Sequence, residues 1–277
     1  GIIHIYNCEY ITVEGYELFD TGEVEKDKRG VLIEGDNAGV LSGITVRNMY
    51  IHHIKGYTDA ANNGMSTDSK STGGIQVWVR NADRTPTRFD SLTIEKNIIK
   101  NVDNAGIATW HTRSTQVSIQ PGSIGWENIA YTNLRIAENV ISDVGKNAIV
   151  IRSSEGGVVE YNTVYETALR CISGNQIFTR DCRGTVIQYN EGFLNRMQPD
   201  STGVFRDGSM IDPDLRSPGT IWQYNYSHDN AFGLMTTCTD VNDDNIIVRY
   251  NVSAGDKSWL LNISYDVSGI WFYNNTF

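Results

Sequence analysis

Proline is scarce in this chain, at 5 of 277 residues, and cysteine scarcer, at 4. Cys8, Cys171, Cys182 and Cys238 are too scattered for a zinc ribbon and too few for a disulfide framework, so a disulfide-stapled miniprotein is excluded. Either Cys171 and Cys182 pair or all four are buried small hydrophobes. Positive charge is also in deficit, with 23 Lys+Arg against 33 Asp+Glu and a net charge of −10. A nucleic-acid binder would have to gather those few cations on one face, so no nucleic-acid partner is expected. No run approaches the roughly 18 apolar residues of a membrane span, and no charged start leads into an apolar segment. Ala- and Leu-rich helical patterns are missing too. What is abundant is Gly, at 26, and Tyr, at 14, the composition of many short strands joined by tight turns.

One short phrase recurs along the chain, an aliphatic alternation, an Asn, and a second alternation. It reads ITVRNMYI around Asn48, LTIEKNII around Asn97, LRIAENVI around Asn139 and VVEYNTVY around Asn162. Further copies surround Asn190, Asn225, Asn251 and Asn274, and YITVEGYEL carries Gly15 in a first copy. The anchors are spaced by 49, 42, 23, 28, 35, 26 and 23 residues, so the unit has a minimum period of 23 and the longer intervals hold inserted loops. A unit of that length accommodates three short strands and three turns, which stack as a solenoid with parallel pairing about 4.8 Å from coil to coil. An Asn at the same turn of each coil forms a ladder, because its side chain tolerates left-handed backbone and its amide bonds the turns above and below.

With these features the sequence resembles the right-handed parallel β-helix superfamily of pectate-lyase-like carbohydrate-active proteins. The phrases RGVLIEG at 29–35, STGGI at 71–75, DGSMIDPD at 207–214 and QYNYSHDN at 223–230 resemble its bacterial polysaccharide-degrading subgroup. The expected fold is all-β, a single parallel β-helix of about nine coils over 1–277, cut from a longer chain. The resemblance implies a monomer located in the periplasm, at the cell surface or outside the cell, with a polysaccharide or oligosaccharide as its partner.

Strand parity then builds a groove. With Val31 and Ile33 inward, Glu34 points out, and the same frame puts Gln76, Trp78, Trp110 and Arg152 outward. Continuing it gives Ser173 and Asn175, then Asp212 with Asp214 beyond, then Met235 or Thr237, with Asp207 at the strand entrance. Tryptophans followed by charged groups suit sugar rings and a scissile bond; alternatively the long inserted loops cover Trp78 and Trp110, which then form only a satellite core. The insertions at 57–73, 80–90, 112–130 and 196–218 flank this face and carry Arg80, Arg84, Arg88, Arg113, Arg196, Arg206 and Arg216, a cationic lining for an acidic glycan.

Two chemistries fit such a groove. β-Elimination on a uronate, the leading expectation, uses a base and a cation on the carboxylate, with Arg152 and the aspartates supplying them. Hydrolysis uses paired carboxylates, here Asp207 and Asp212. A non-catalytic glycan binder would keep only the tryptophans. Asp207, Asp212 and Asp214 lie within eight residues and repel one another, so they either bind calcium or share a proton. The other candidates are His228, beside Asp229, as an acid or base, and Glu34, Gln76, Trp78, Arg80, Trp110, His111 and Asn175 as substrate contacts. The Asp-Asp and Gly-His-Gly of galacturonases are not reproduced: the lone Asp-Asp is Asp243-Asp244, in a polar turn.

Overall fold

A computed structural model describes the chain outside residues 59–69, 113–118, 172, 197–206, 239–244 and 265–268. Arg113, Arg206, Asp243 and Asp244 lie outside the described residues, as do parts of three of the inserted loops. The described residues form a right-handed parallel β-helix with no α-helix. Two nine-stranded sheets, one eight-stranded sheet and a four-stranded sheet run along it, and every strand pair is parallel. The first sheet, which carries the candidate site, stacks Ile3–Tyr6, Arg29–Asp36, Gly73–Asn81, Ala105–His111, Ile149–Arg152, Ile177–Arg180, Ile211–Pro213, Met235–Cys238 and Leu261–Ser264.

Alternation decides what each strand buries. Val31 and Ile33 align with Ile75 and Val77, and Ile107, Ile149, Ile177, Ile211 and Met235 continue the inward rows through the core. Close stacking also needs glycine. A methyl group on Gly106 would lie 2.6 Å from the Ala148 carbonyl oxygen and 2.6 Å from Ile141, so no side chain fits there.

The ladder is present, shifted by one residue at both ends. The amide Nδ2 of Asn97 donates to Oδ1 of Asn139 at 2.9 Å, and the chain of bonds runs on through Asn162, Asn190, Asn225 and Asn251 to Asn275. Each Oδ1 also accepts the backbone N–H of the ladder residue one coil back, as when Asn97 N–H donates to Asn139 at 3.0 Å. Asn48 and Asn274 are not ladder members. They occupy the preceding slot, which needs positive φ, with values of 53° and 53°, alongside Gly15 at 78° and Tyr161 at 56°. Met49 holds the ladder slot beside Asn48, and its N–H donates to Asn97 Oδ1 at 3.0 Å. A short polar side chain suits both slots, which is why the motif alone misassigns them. Tyrosines fill the left-handed slot in four later coils, and Tyr161, Tyr189, Tyr224 and Tyr250 stack face to face on the outside with centroids 5.1, 5.1 and 5.2 Å apart.

Cys171 and Cys182 do not pair and are buried as small hydrophobes, whereas Cys8 is only half buried. Burial pushes the Cys182 thiol up to about 12, as expected for an inert core thiol.

Candidate active-site cleft

Two outward columns run up the first sheet. In one, Tyr6, Glu34, Trp78 and Trp110 are in register, and Arg152 and Arg180 pair further up. The Arg152 guanidinium lies 4.1 Å above the Trp110 ring centroid, joining the two halves. In the other, Leu32, Gln76, Ala108, Val150, Phe178 and Asp212 align. Glu34, Trp78, Trp110 and Arg152 therefore share a column as parity requires. Asn175, Asp212, Met235 and Thr237 do not continue it. The sixth strand begins at Ile177, so a frame counted from Cys171 starts too early, and Arg180 stands where Asn175 was expected. Met235 and Thr237 point inward and are fully buried.

The aspartates cluster at the end of this strand face. Asn175 organises them: its Nδ2 donates to Asp212 Oδ2 at 2.6 Å, while its Oδ1 accepts the N–H groups of Gly208 and Ser209 at 2.9 and 2.8 Å. The Ser173 hydroxyl donates to Asp207. Asp212 is buried, with Oδ1 lacking a hydrogen-bond partner among the described residues. Burial, then the charges of Asp214 and Asp207, raise its carboxyl well above the ordinary value. Burial also raises Asp214, against the Leu215 N–H and Lys70. Asp207 and Asp214 keep partial exposure, which Asp212 does not.

Cations oppose this cluster. The Lys70 ammonium sits 3.9 Å from the Phe178 ring centroid, and the Arg152 guanidinium lies 5.7 Å from the same ring. Burial, then Lys146 and Arg152, push Lys70 down to about 7, with Asp214 and Asp207 pulling the other way. Burial and Arg180 bring Arg152 to about 10. Lys70, Lys146, Phe178 and Arg180 were not singled out in the sequence. Counting the frame from IFTR would have exposed Phe178 and Arg180, whereas Lys70 precedes its strand and carries no periodic signal.

The remaining candidates scatter. Glu34 is held by Arg80 and His4, both at 2.8 Å, and Arg80 lies 4.9 Å from the Trp78 ring. Gln76 donates to the Thr72 carbonyl oxygen at 3.0 Å. His111 is fully buried 2.9 Å from the Thr87 carbonyl oxygen, in register with inward Val79, and so is turned away from the groove. His228 belongs to the third sheet, stacked on Phe193 and Tyr226 and beside Asp229 at 2.9 Å, and is not brought to the aspartates. Of the arginines expected to line the groove, among the described residues Arg88 donates to Thr132 and Arg216 pairs with Asp181, as Arg80 does with Glu34, while Arg84 and Arg196 face solvent. Among the described residues no group of three or more His, Cys, Asp or Glu side chains could hold a metal ion, so calcium at Asp207, Asp212 and Asp214 rests on the sequence pattern alone. No helix among the described residues is long and apolar enough to cross a membrane.

Fold and site together define a parallel β-helix whose first sheet packs Trp110 and Phe178 with Ala105, Ala108 and Val150 in a second apolar cluster, with Trp78 half buried against it, beside a buried set of carboxyl and cationic groups. No family model matches the chain. It is 30% identical to a lacto-N-biosidase of Bifidobacterium longum subsp. longum over 93% of its own length and 17% of that protein's. The solved GH136 lacto-N-biosidase from Eubacterium ramulus superposes with a TM-score of 0.79 at 20% identity, over 99% of this chain and 50% of that one. That likeness shows the fold. The chain spans about a sixth of the curated relative and half of the solved one.

Proposed function

We propose that this chain is the catalytic β-helix of a glycoside hydrolase acting on a lacto-N-biose-type oligosaccharide, with Asp207 and Asp214 as its carboxyl pair. The observation that carries the reading is the aspartate cluster at the end of Ile211–Pro213, beside the aromatic and cationic side chains of the first sheet. Hydrolysis needs two carboxyl groups that a sugar can reach, one to donate a proton and one to attack or to activate water. Asp207 and Asp214 meet that need through their partial exposure. Asp212, the partner expected for Asp207, is buried and bonded to Asn175, and so serves as a support. The relatives carry hydrolase names, and among the described residues Arg80, Arg88 and Arg216, three of the arginines expected to grip an acidic polymer, are paired within the protein. Hydrolysis of a neutral glycan therefore displaces β-elimination as the leading reading. A monomer acting outside the cytoplasm goes with it.

Charge balance at the cleft comes from Lys70, Lys146, Arg152 and Arg180. Exhaustive chelation is accordingly expected to leave turnover unchanged, and loss with rescue by calcium would reinstate a metal at the aspartates. The direct test is product analysis on a lacto-N-biose-capped oligosaccharide. Hydrolysis gives a new reducing end with no unsaturated sugar. Unsaturated ends from a uronan would instead assign Lys70 or Arg152 to an elimination, and tight binding without products would make the chain a binder.

A further inference from the structure

On the third sheet, two histidines turn their ring nitrogens toward each other. His52 and His53 are neighbours in Tyr50–Ile54, and their Nδ1 atoms lie 2.6 Å apart. Side chains of neighbouring strand residues normally leave on opposite faces. Here His53 has the left-handed φ of 54°, which folds its ring back toward His52. The same turn acts alike further up the solenoid, where His228 shares the column of His52 and Asp229, also at φ 54°, brings its Oδ2 to 2.9 Å from His228 Nδ1. Its surroundings lock His52. The ring stacks on Phe19 at 5.2 Å and on Tyr50 at 4.3 Å, and its Nε2 lies 3.0 Å from Glu17 Oε1. A carboxylate only accepts, so Nε2 of His52 carries a proton and, in the neutral ring, Nδ1 carries a lone pair. A carboxylate behind one ring nitrogen is also the arrangement that orients metal-binding imidazoles.

Two nitrogens at right angles on a metal ion, each about 2.0 Å from it, stand about 2.8 Å apart, whereas tetrahedral ligands stand about 3.3 Å apart. The Nδ1 pair is close to the first spacing. His53 is the exposed member, so it can open the gap slightly and carry its proton on Nε2, leaving two lone pairs for one ion. A cavity of about 340 Å³ beside the pair, lined by Phe19, Asp20, Thr21, Glu23, His52 and His53, has room for the ion and its water. Glu17, Asp20 and Glu23 add negative charge, opposed by Lys28, which pairs with Asp20 at 2.7 Å. We propose that His52 and His53 form a two-nitrogen site for a divalent transition metal ion of tetragonal preference, copper(II) or nickel(II), with water completing its coordination. Paired imidazoles suit these ions, whereas calcium and magnesium take oxygen ligands. The site lies on a different sheet from Ile211–Pro213 and its aspartates, and it is independent of the glycosidase reading.

The test is titration of the full chain with copper(II), with calorimetry for affinity and electron paramagnetic resonance for the ligands. An ion should bind with two imidazole nitrogens in its coordination plane, and zinc(II) should bind more weakly than copper(II), as the general order of divalent ions requires. Glu17→Gln weakens the support behind His52 and should lower copper affinity by about tenfold or more. His52→Gln and His53→Gln each remove a ligand, so they should lower it further and take one nitrogen out of the spectrum. His228→Gln should leave affinity and spectrum unchanged, because its turn pairs an imidazole with a carboxylate instead of a second imidazole. Acid should release the ion, since protons compete for the same nitrogens. Circular dichroism identifies any variant that fails to fold, and the exposure of His53 lets His53→Gln stand alone. No copper binding by the wild type, a coordination plane holding fewer than two imidazoles, or undiminished affinity in folded His53→Gln would overturn the site.

Discussion

Asn274 and Asn275 are neighbours with unrelated jobs. The first turns the backbone at φ 53° and the second accepts from Asn251 and closes the ladder. Their difference predicts a contrast in stability. Asn162→Leu or Asn225→Leu removes bonds in a buried turn and should cost about 1–3 kcal/mol. Asn48→Leu loses no ladder bond and should cost only about 1 kcal/mol, from left-handed backbone. Urea unfolding of the three variants measures this, and equal losses would remove the distinction between the slots. Asp212 makes a second prediction. Its folded pKa is raised above the ordinary 3.8 by burial, then by Asp214 and Asp207, so the folded state favours the protonated carboxyl. That contribution is complete below the unfolded value and is lost as pH rises through the folded one. Wild-type melting temperature should therefore fall across this window more steeply than that of Asp212→Asn, and parallel curves would contradict the burial of this carboxyl.

At the scale of the strand, the alternation of RGVLIEG and GIQVWV was enough to place Glu34, Trp78, Trp110 and Arg152 on one outward column, because inward rows of Val and Ile leave no other frame. The same reasoning broke down at CISGN. No Gly- or Ala-led strand entry marks that coil, and the polar stretch ahead of Ile177 carries no period. His111 shows a different limit, since a polar residue at a strand end can turn inward when a buried carbonyl oxygen, here that of Thr87, receives it. Contacts made by Lys70 across coils are invisible to any local pattern. Glycine supplies the prediction for this scale. Gly106→Ala places a methyl 2.6 Å from the Ala148 carbonyl oxygen, and forcing the coils apart should cost about 1–3 kcal/mol. An unchanged unfolding midpoint would mean that the coils do not approach as closely as described.

For the whole molecule, the repeat of Asn-centred phrases was enough to define the solenoid, since a unit of 23 residues cannot bury its own strands without copies above and below. The chemistry was less legible. Asp207, Asp212 and Asp214 announced a cluster through spacing alone, but which of them a ligand can reach depends on burial set by Asn175 and Ser173, contributed from the preceding coil. The stacking of coils thus turns residues far apart in sequence into one cleft, and the glycosidase reading depends on that assembly. It is tested most directly by turnover of a lacto-N-biose-capped oligosaccharide by wild type, Asp207→Asn, Asp212→Asn and Asp214→Asn, with folding verified for each. Loss of an acid, base or nucleophile should lower kcat by about 10²–10⁴-fold in Asp207→Asn and Asp214→Asn. Asp212→Asn should retain more activity than either. Full turnover in Asp207→Asn or Asp214→Asn, with new reducing ends still forming, would contradict the assignment.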